Sequence, residues 1–230
     1  MAKVQVNSQG KAYLTTGGKA LVASSSGEKY GANINTFIGD VNASGVLQPV
    51  TEQSDIVFTG VTNVAEKGLT YRFAGTNIKS ISFPSLITIS GIYACFTMAR
   101  DCTSLTSVSF PSLTTISGRY GCGNMLQNCT ALTSVSFPSL TTISGSYACN
   151  FMFQSCKALT DVYFPALTTT SFGSNKNQFS SMMSGTGTYV THTLHFPSNL
   201  ESKIRTLTGY PTFGGTSGYV VLSFDLPQTN

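Results

Sequence analysis

"LTSVSFPSLTTISG" occupies residues 105–118 and, letter for letter, residues 132–145, a period of 27. A phrase written twice at a fixed offset means one structural unit built twice, so the period is worth extending along the chain. Phe-Pro recurs at Phe83-Pro84, Phe110-Pro111, Phe137-Pro138 and Phe164-Pro165, each 27 residues after the last, and at Phe196-Pro197 after 32. An apolar L-x-x-V-x-F pattern leads into each Phe: Ile78/Ile81/Phe83, Leu105/Val108/Phe110, Leu132/Val135/Phe137 and Leu159/Val162/Phe164. Looser copies stand at Ile56/Phe58, Leu194/Phe196 and Tyr219/Leu222/Phe224.

Alternate residues of a strand point to opposite faces, so this pattern sends one apolar set inward and the residues between them outward. One such coil cannot bury its own apolar edge and has to stack on the next. After each Phe-Pro comes a second apolar pair, Leu86/Ile89, Leu113/Ile116 or Leu140/Ile143, and then a Ser-Gly turn at Gly91, Gly118 or Gly145, where glycine gives the backbone its freedom. Next lies a stretch such as "YACNFMFQSC" (147–156), with apolar residues at Cys149, Met152, Phe153 and Cys156. That i, i+3, i+4, i+7 spacing predicts one stripe of a short amphipathic helix. The expected fold is an α/β repeat solenoid with 27-residue coils of short strands and short helical segments.

"FQSCKALTDVYFPAL" and "LQNCTALTSVSFPSL" resemble the BspA-type leucine-rich repeats of bacterial surface proteins, whose pattern is F-x-x-C-x-x-L-x-x-I-x-I-P. The likeness covers about residues 56–197, because Cys, strand and Pro coincide. "FAGTNIKSISFP" (73–84) looks like the variant with the Cys replaced. The resemblance implies a non-catalytic binding or adhesive solenoid carried by a gut bacterium or its phage.

All six cysteines fall on two ladders, Cys95/Cys122/Cys149 and Cys102/Cys129/Cys156. Seven residues of helix rise about 10.5 Å, and a disulfide needs Cα atoms under about 7 Å apart. Packed helical segments on neighbouring coils would stand about 8–10 Å apart. Buried free thiols are therefore expected, with no metal site, since no C-x₂-C cluster occurs.

Residues 1–52 leave the repeat and read as a small β-rich module. "KVQVNSQGKAYL" suggests short strands around Gly turns, and "FIGDVNASGVLQP" a hairpin. Asp40, Asn42, Ser44 and Gly45 mimic the start of a calcium loop, but Thr51 takes the place of its closing Glu, which favours an ordinary Asn/Gly turn. "NSQGKAYLTTGGKAL" is similar to leader modules of phage structural proteins. Residues 198–230 read as a cap: Ser198 and Glu201 have capping-box spacing, Leu200, Ile204 and Leu207 give an apolar face, Gly209 ends the helix and "YVVLSFDLP" adds a last strand. "HFPSNLESKIRTLTGYPTFGG" resembles the ending of repeat proteins of gut bacteria and their phages. The solenoid proper is expected over 53–197.

Only 10% of residues are charged and the net charge is +4, too little and too scattered for a nucleic-acid groove. The long uncharged stretches are rich in Ser, Thr, Gly and Asn, unlike a membrane span. "MAKVQVNSQG" lacks an apolar export segment, which turns the expectation toward a virion, released by lysis, and otherwise toward the cell surface. The N-terminal module would then attach to other virion or surface proteins, or join copies of the chain.

A ligand would meet the outward strand residues. In the middle coils these are hydroxyls: Thr106, Ser107, Ser109, then Thr133, Ser134, Ser136. Toward the C-terminus Asp161, Tyr163, His192 and His195 take the outward places and form the candidate ligand-binding face for a host glycan or protein. A Ser136–His195–Asp161 trio can be drawn, but neither its order nor a nucleophile elbow supports hydrolysis. No cofactor is implied and no enzyme is expected.

Overall fold

The computed structural model describes residues 61–227, apart from 72, 169–171, 173, 175 and 188–189, together with short strands before them. Those early strands are β1 (Gln5–Val6), β2 (Ala12–Tyr13) and β3 (Asp55–Val57). Then come β4 (Asn63–Val64), β5 (Ser80–Ser82), β6 (Thr88–Ile89), β7 (Ser107–Ser109), β8 (Thr115–Ile116), β9 (Ser134–Ser136), β10 (Thr142–Ile143), β11 (Asp161–Tyr163), β12 (His192–Pro197), α1 (Glu201–Ile204) and β13 (Val220–Leu226). β1 and β2 pair antiparallel, as the Gly-turn reading of "KVQVNSQGKAYL" expects. The hairpin and calcium-like turn at 37–49 lie outside the described residues.

Every pairing from β3 onward is parallel, and partners sit one coil apart. Ser80, Ile81 and Ser82 pair with Ser107, Val108 and Ser109, and Thr115-Ile116 pairs with Thr142-Ile143. The molecule is the parallel-strand solenoid of leucine-rich-repeat type that the 27-residue pattern predicts. Each coil lays one strand on a first side, turns at Phe-Pro, and lays a two-residue strand on a second side. The first side divides into a sheet ending at β7 and one beginning at β9. Phe110 and Phe137 stack across that joint at 5.9 Å, against 5.4 Å for the pairs on either side, so the core stays continuous where the strand ladder does not.

The core is a set of ladders. Phe83, Phe110, Phe137, Phe164, Phe196 and Phe224 stack in sequence. Val108 and Val135 are 7% and 2% exposed, so the strand's apolar set does point inward. The hydroxyls do more than solubilise. Ser112 and Ser139 donate to the carbonyls of Pro84 and Pro111, each at 2.7 Å, and Thr114 and Thr141 donate to the carbonyls of Ile87 and Thr114. Such bonds tie each coil to the one before it, which is why Ser and Thr recur with the Phe.

The third side differs from expectation: "YACNFMFQSC" and its equivalents are not helical. Residues 91–102 form overlapping turns, in which Ala94, Phe96, Met98, Arg100 and Cys102 each donate to the carbonyl three residues back. The residues between them, Tyr93, Cys95, Thr97, Ala99 and Asp101, donate to the next coil instead, at Arg119, Gly121, Gly123, Met125 and Gln127. Every fourth residue is left-handed, with φ of 56° at Tyr93, 51° at Thr97 and 62° at Asp101, so the right-handed helix never propagates. The true period is four. Over ten residues it buries nearly the same positions as a 3.6-residue helix, and the two cannot be separated by apolar spacing alone. Left-handed tyrosines are unfavourable by about 1–2 kcal/mol each. The inter-coil bonds and the stacking of Tyr93, Tyr120 and Tyr147 at 5.4 and 5.1 Å offset this.

The same ribbon changes the geometry around the cysteines. All six are buried thiols, but helical spacing does not hold them apart. Cys102, Cys129 and Cys156 donate to the carbonyls of Phe73, Ala99 and Leu126 on the preceding coil at 2.9, 3.2 and 3.0 Å. Burial pushes the Cys156 thiol up to about 12, so it stays protonated and packs as a small apolar group. Gly91, Gly118 and Gly145 also serve another purpose than the expected one. A Cβ on Gly118 would lie 2.0 Å from the Gly91 carbonyl oxygen, and one on Gly145 2.2 Å from that of Gly118. Glycine is needed there because neighbouring backbones touch.

At the far end Pro197 is the N-cap and Ser198–Leu200 form a 3-10 turn, so Ser198 lies inside the helical segment and not at its cap. Leu200, Ile204 and Leu207 are buried, and Gly209, at φ 94°, follows them. β13 pairs parallel with β12 and so completes one further coil.

Gly118→Ala is expected to lower unfolding stability by about 1–3 kcal/mol, the range for forced overpacking. Urea denaturation of the variant beside wild type checks this; an unchanged midpoint would mean that the coils are not in backbone contact at this turn.

Candidate functional site

The outward face of the first side carries Ser107 and Ser109, then Ser134 and Ser136, then Asp161 and Tyr163, then Thr193 and His195, and finally Val221, Ser223 and Asp225. Ser136, Tyr163, His195 and Ser223 share one row, because Tyr163 pairs with Ser136 on one side and His195 on the other, and His195 pairs with Ser223. Parallel pairing brings the variable positions of the last coils together, although they are far apart in sequence.

His195 is the centre of the cluster. Its Nε2 lies 2.9 Å from Asp161 Oδ1, and its Nδ1 lies 3.1 Å from each carboxylate oxygen of Asp225. Its ring stacks on Tyr163 at 4.3 Å with an 11° interplanar angle. One imidazole thus bridges β11, β12 and β13. Its side chain is 13% exposed, against 33% for Asp161 and 52% for Asp225. Partial burial disfavours the imidazolium, but the hydrogen bonds to Asp161 and then Asp225 outweigh it, and the His195 pKa is raised. The hydrogen bond from His195 lowers Asp161. Asp225 also falls: slight desolvation opposes this, and the His195 bond overcomes it.

Three of the four expected residues, Asp161, Tyr163 and His195, come together on the outer face. His192 does not. It begins β12 with its side chain fully buried and its Nδ1 bonded to the Leu159 carbonyl, while Nε2 has no partner among the described residues. Alternation counted back from the inward Phe196 passes through Leu194 and reaches His192 on the same inward face, so its outward assignment conflicts with the strand's own period of two. His192 is therefore a core residue and leaves the candidate face.

Asp225 is the member that sequence reasoning missed. Its signal was present: once Tyr219/Leu222/Phe224 is read as a further coil, Asp225 follows the inward Phe224 and lies on the outer side. A one-residue bulge, with His195 opposite Ser223 but Pro197 opposite Leu226, sets it beside His195. The drawn trio of Ser136, His195 and Asp161 does not assemble. Tyr163 stands between Ser136 and His195, two strand spacings or about 10 Å apart, and both nitrogens of His195 are engaged by carboxylates. Among the described residues no group of three or more His, Cys, Asp and Glu side chains is arranged to hold a metal ion, and no helix is long and apolar enough to cross a membrane.

No protein-family model and no curated protein matches the chain. Among solved structures, the crystal structure of a T. pallidum leucine-rich-repeat protein, TpLRR, is similar with a TM-score of 0.43 and 20% identity, over 87% of this chain and 84% of that one. Likeness at that level carries nothing about ligand or activity.

The pKa directions fix the pH window of the bridge. His195, being raised, contributes stability below its unfolded value, and the contribution fades as pH rises through its folded value. Asp161, being lowered, contributes above its unfolded value and loses this as pH falls through its folded one. The bridge is strongest between the ordinary carboxylate and imidazole ranges, about pH 4–6.5. His195→Gln is expected to reduce stability by about 1 kcal/mol near pH 5, and the difference should shrink toward zero by about pH 9. Thermal melts at both pH values test this; a difference independent of pH would show that His195 acts through packing alone.

Proposed function

We propose that the protein is a non-catalytic binding module, carried on a virion as a fibre or decoration protein, whose strand face offers Asp161, Tyr163 and His195 to a host glycan or protein. The observation that carries this reading is the bridged, stacked cluster on an otherwise uniform hydroxyl face. A repeat that needed only solubility would continue its serines. Here the last coils replace them with an aromatic ring, an imidazole and two carboxylates, held in fixed positions by one another. Preorganised acceptors beside a flat ring suit the hydroxyls and apolar faces of sugars, and equally a polar peptide surface. The occupied nitrogens of His195 speak against a general base.

The resemblance of both chain ends to phage structural and phage-borne repeat proteins supports the virion placement, with residues 1–52 as the attachment or oligomerisation module. The likeness of "FQSCKALTDVYFPAL" to bacterial surface repeats supports a second reading, a cell-surface adhesin. Mass spectrometry separates them: the virion reading expects the protein in purified particles, and recovery from bacterial envelopes alone favours the adhesin.

The binding claim has its own test. Tyr163→Ser combined with His195→Ser is expected to weaken attachment to host cells by about tenfold or more, the loss of about 1.4 kcal/mol or more. Unchanged attachment, with the fold intact by circular dichroism, would leave a decoration role without a ligand on this face.

A further inference from the structure

The repeat buries its strand residues almost completely until the last coil. Val162 and Phe164 are each 1% exposed, and Leu194 and Phe196 are 0%. Their equivalents in β13, Leu222 and Phe224, are only partly buried. Phe224 is the last ring of the phenylalanine stack and packs on Phe196 alone in that ladder, at 6.0 Å. Among the described residues, this strand thus presents an apolar row that no further coil covers, and no strand pairs with its outer edge.

The backbone of that edge is open in the same place. His192 N–H donates to the Tyr219 carbonyl, so in this parallel pair Tyr219, Val221 and Ser223 direct their peptide groups at β12. Val220, Leu222 and Phe224 direct theirs outward. The same three residues carry the inward-facing side chains. Among the described residues, outward-directed peptide groups with no strand partner and partly buried apolar side chains therefore belong to one set of alternate residues. No Lys, Pro or bulge interrupts Val220–Phe224; the bulge comes after it, where Asp225 turns to His195. These are the devices that would otherwise blunt an edge strand.

From this we infer that β13 is an interface for a second copy of this chain, paired antiparallel about a two-fold axis through Leu222. In that register Leu222 meets Leu222 of the second copy, and Val220 meets its Phe224. Both are hydrogen-bonded pairs on the core side. Val221, 43% exposed, meets the second copy's Ser223 on the outer side. Shifting the register by one residue would set inward against outward side chains, so the alternation excludes it. The only charge on the strand, Asp225, is already paired with His195 and lies beyond the paired segment, so two copies approach without like-charge repulsion. The two-fold leaves the outer faces on one side and doubles the strand face, with a His195 cluster on either side of the joint. The inference is independent of any ligand there.

The test is sedimentation of the full-length chain over a range of concentrations. The interface predicts a monomer–dimer equilibrium, with a wild-type dimer at micromolar concentration. Leu222→Lys and Leu222→Glu are each expected to be monomeric, because like charges meet on the axis, and an equimolar mixture of the two is expected to restore the dimer. A Leu222→Cys chain, oxidised with diamide, adds a readout should the charged variants misfold: the two thiols join through one S–S bond, two protons leave, and diamide is reduced to its hydrazine. A covalent dimer on a non-reducing gel, absent from wild type, supports the axis. A monomeric wild type, a trimer or higher assembly, or charged variants that remain folded dimers would overturn the proposal.

Discussion

Coil-to-coil register is the constraint on which the rest of the structure depends. Each Phe-Pro phenylalanine rests on the equivalent ring of its neighbour, and each coil hands hydrogen bonds to the next from all three sides. Phe110 on Phe137 and Tyr120 on Tyr147 are the aromatic part of this. Thr114 N–H to the Ile87 carbonyl and Tyr120 N–H to the Ser146 carbonyl are the backbone part. The two act together. Stacking of flat rings fixes lateral position, and the backbone bonds fix axial spacing. Where the strand ladder lapses between β7 and β9, the phenylalanine stack and the Ser139 bond to Pro111 still hold the coils in register.

This explains an unusual composition. A fold with little helix and very short strands has to satisfy many turn carbonyls and amides. It does so with serine and threonine hydroxyls aimed at the previous coil, cysteine thiols used as buried donors, and glycines where two backbones touch. Charges contribute little to such a lattice, and they are few. Toward its C-terminal end an imidazole joins three strands, with Asp161 and Asp225 both held on His195.

Much of the fold was legible because strand alternation and a fixed period leave little freedom. Ile81/Phe83, Val108/Phe110 and Val135/Phe137 allow only one inward face, and identical phrases can only be equivalent layers. The turn ribbon was not legible for a physical reason. Apolar spacing reports which residues are buried, not where their amides donate, and a four-residue period imitates a helix over the length of one coil side. The candidate face was partly legible. Asp161, Tyr163 and His195 follow from alternation, and the same alternation sets His192 inward with Leu194 and Phe196, against its outward assignment; Asp225 is missed because a bulge sets its position.

The register claim can be tested by removing one layer. Residues 105–118 and 132–145 are identical, so deleting 119–145 joins Gly118 to Ser146 with no new sequence at the seam and takes out 27 residues. Chemical denaturation of the shortened chain is the measurement. If the coils are equivalent layers, it folds and unfolds in one cooperative transition at a lower denaturant midpoint, with an unchanged shape of far-ultraviolet circular dichroism. A shortened chain with no unfolding transition would contradict the account.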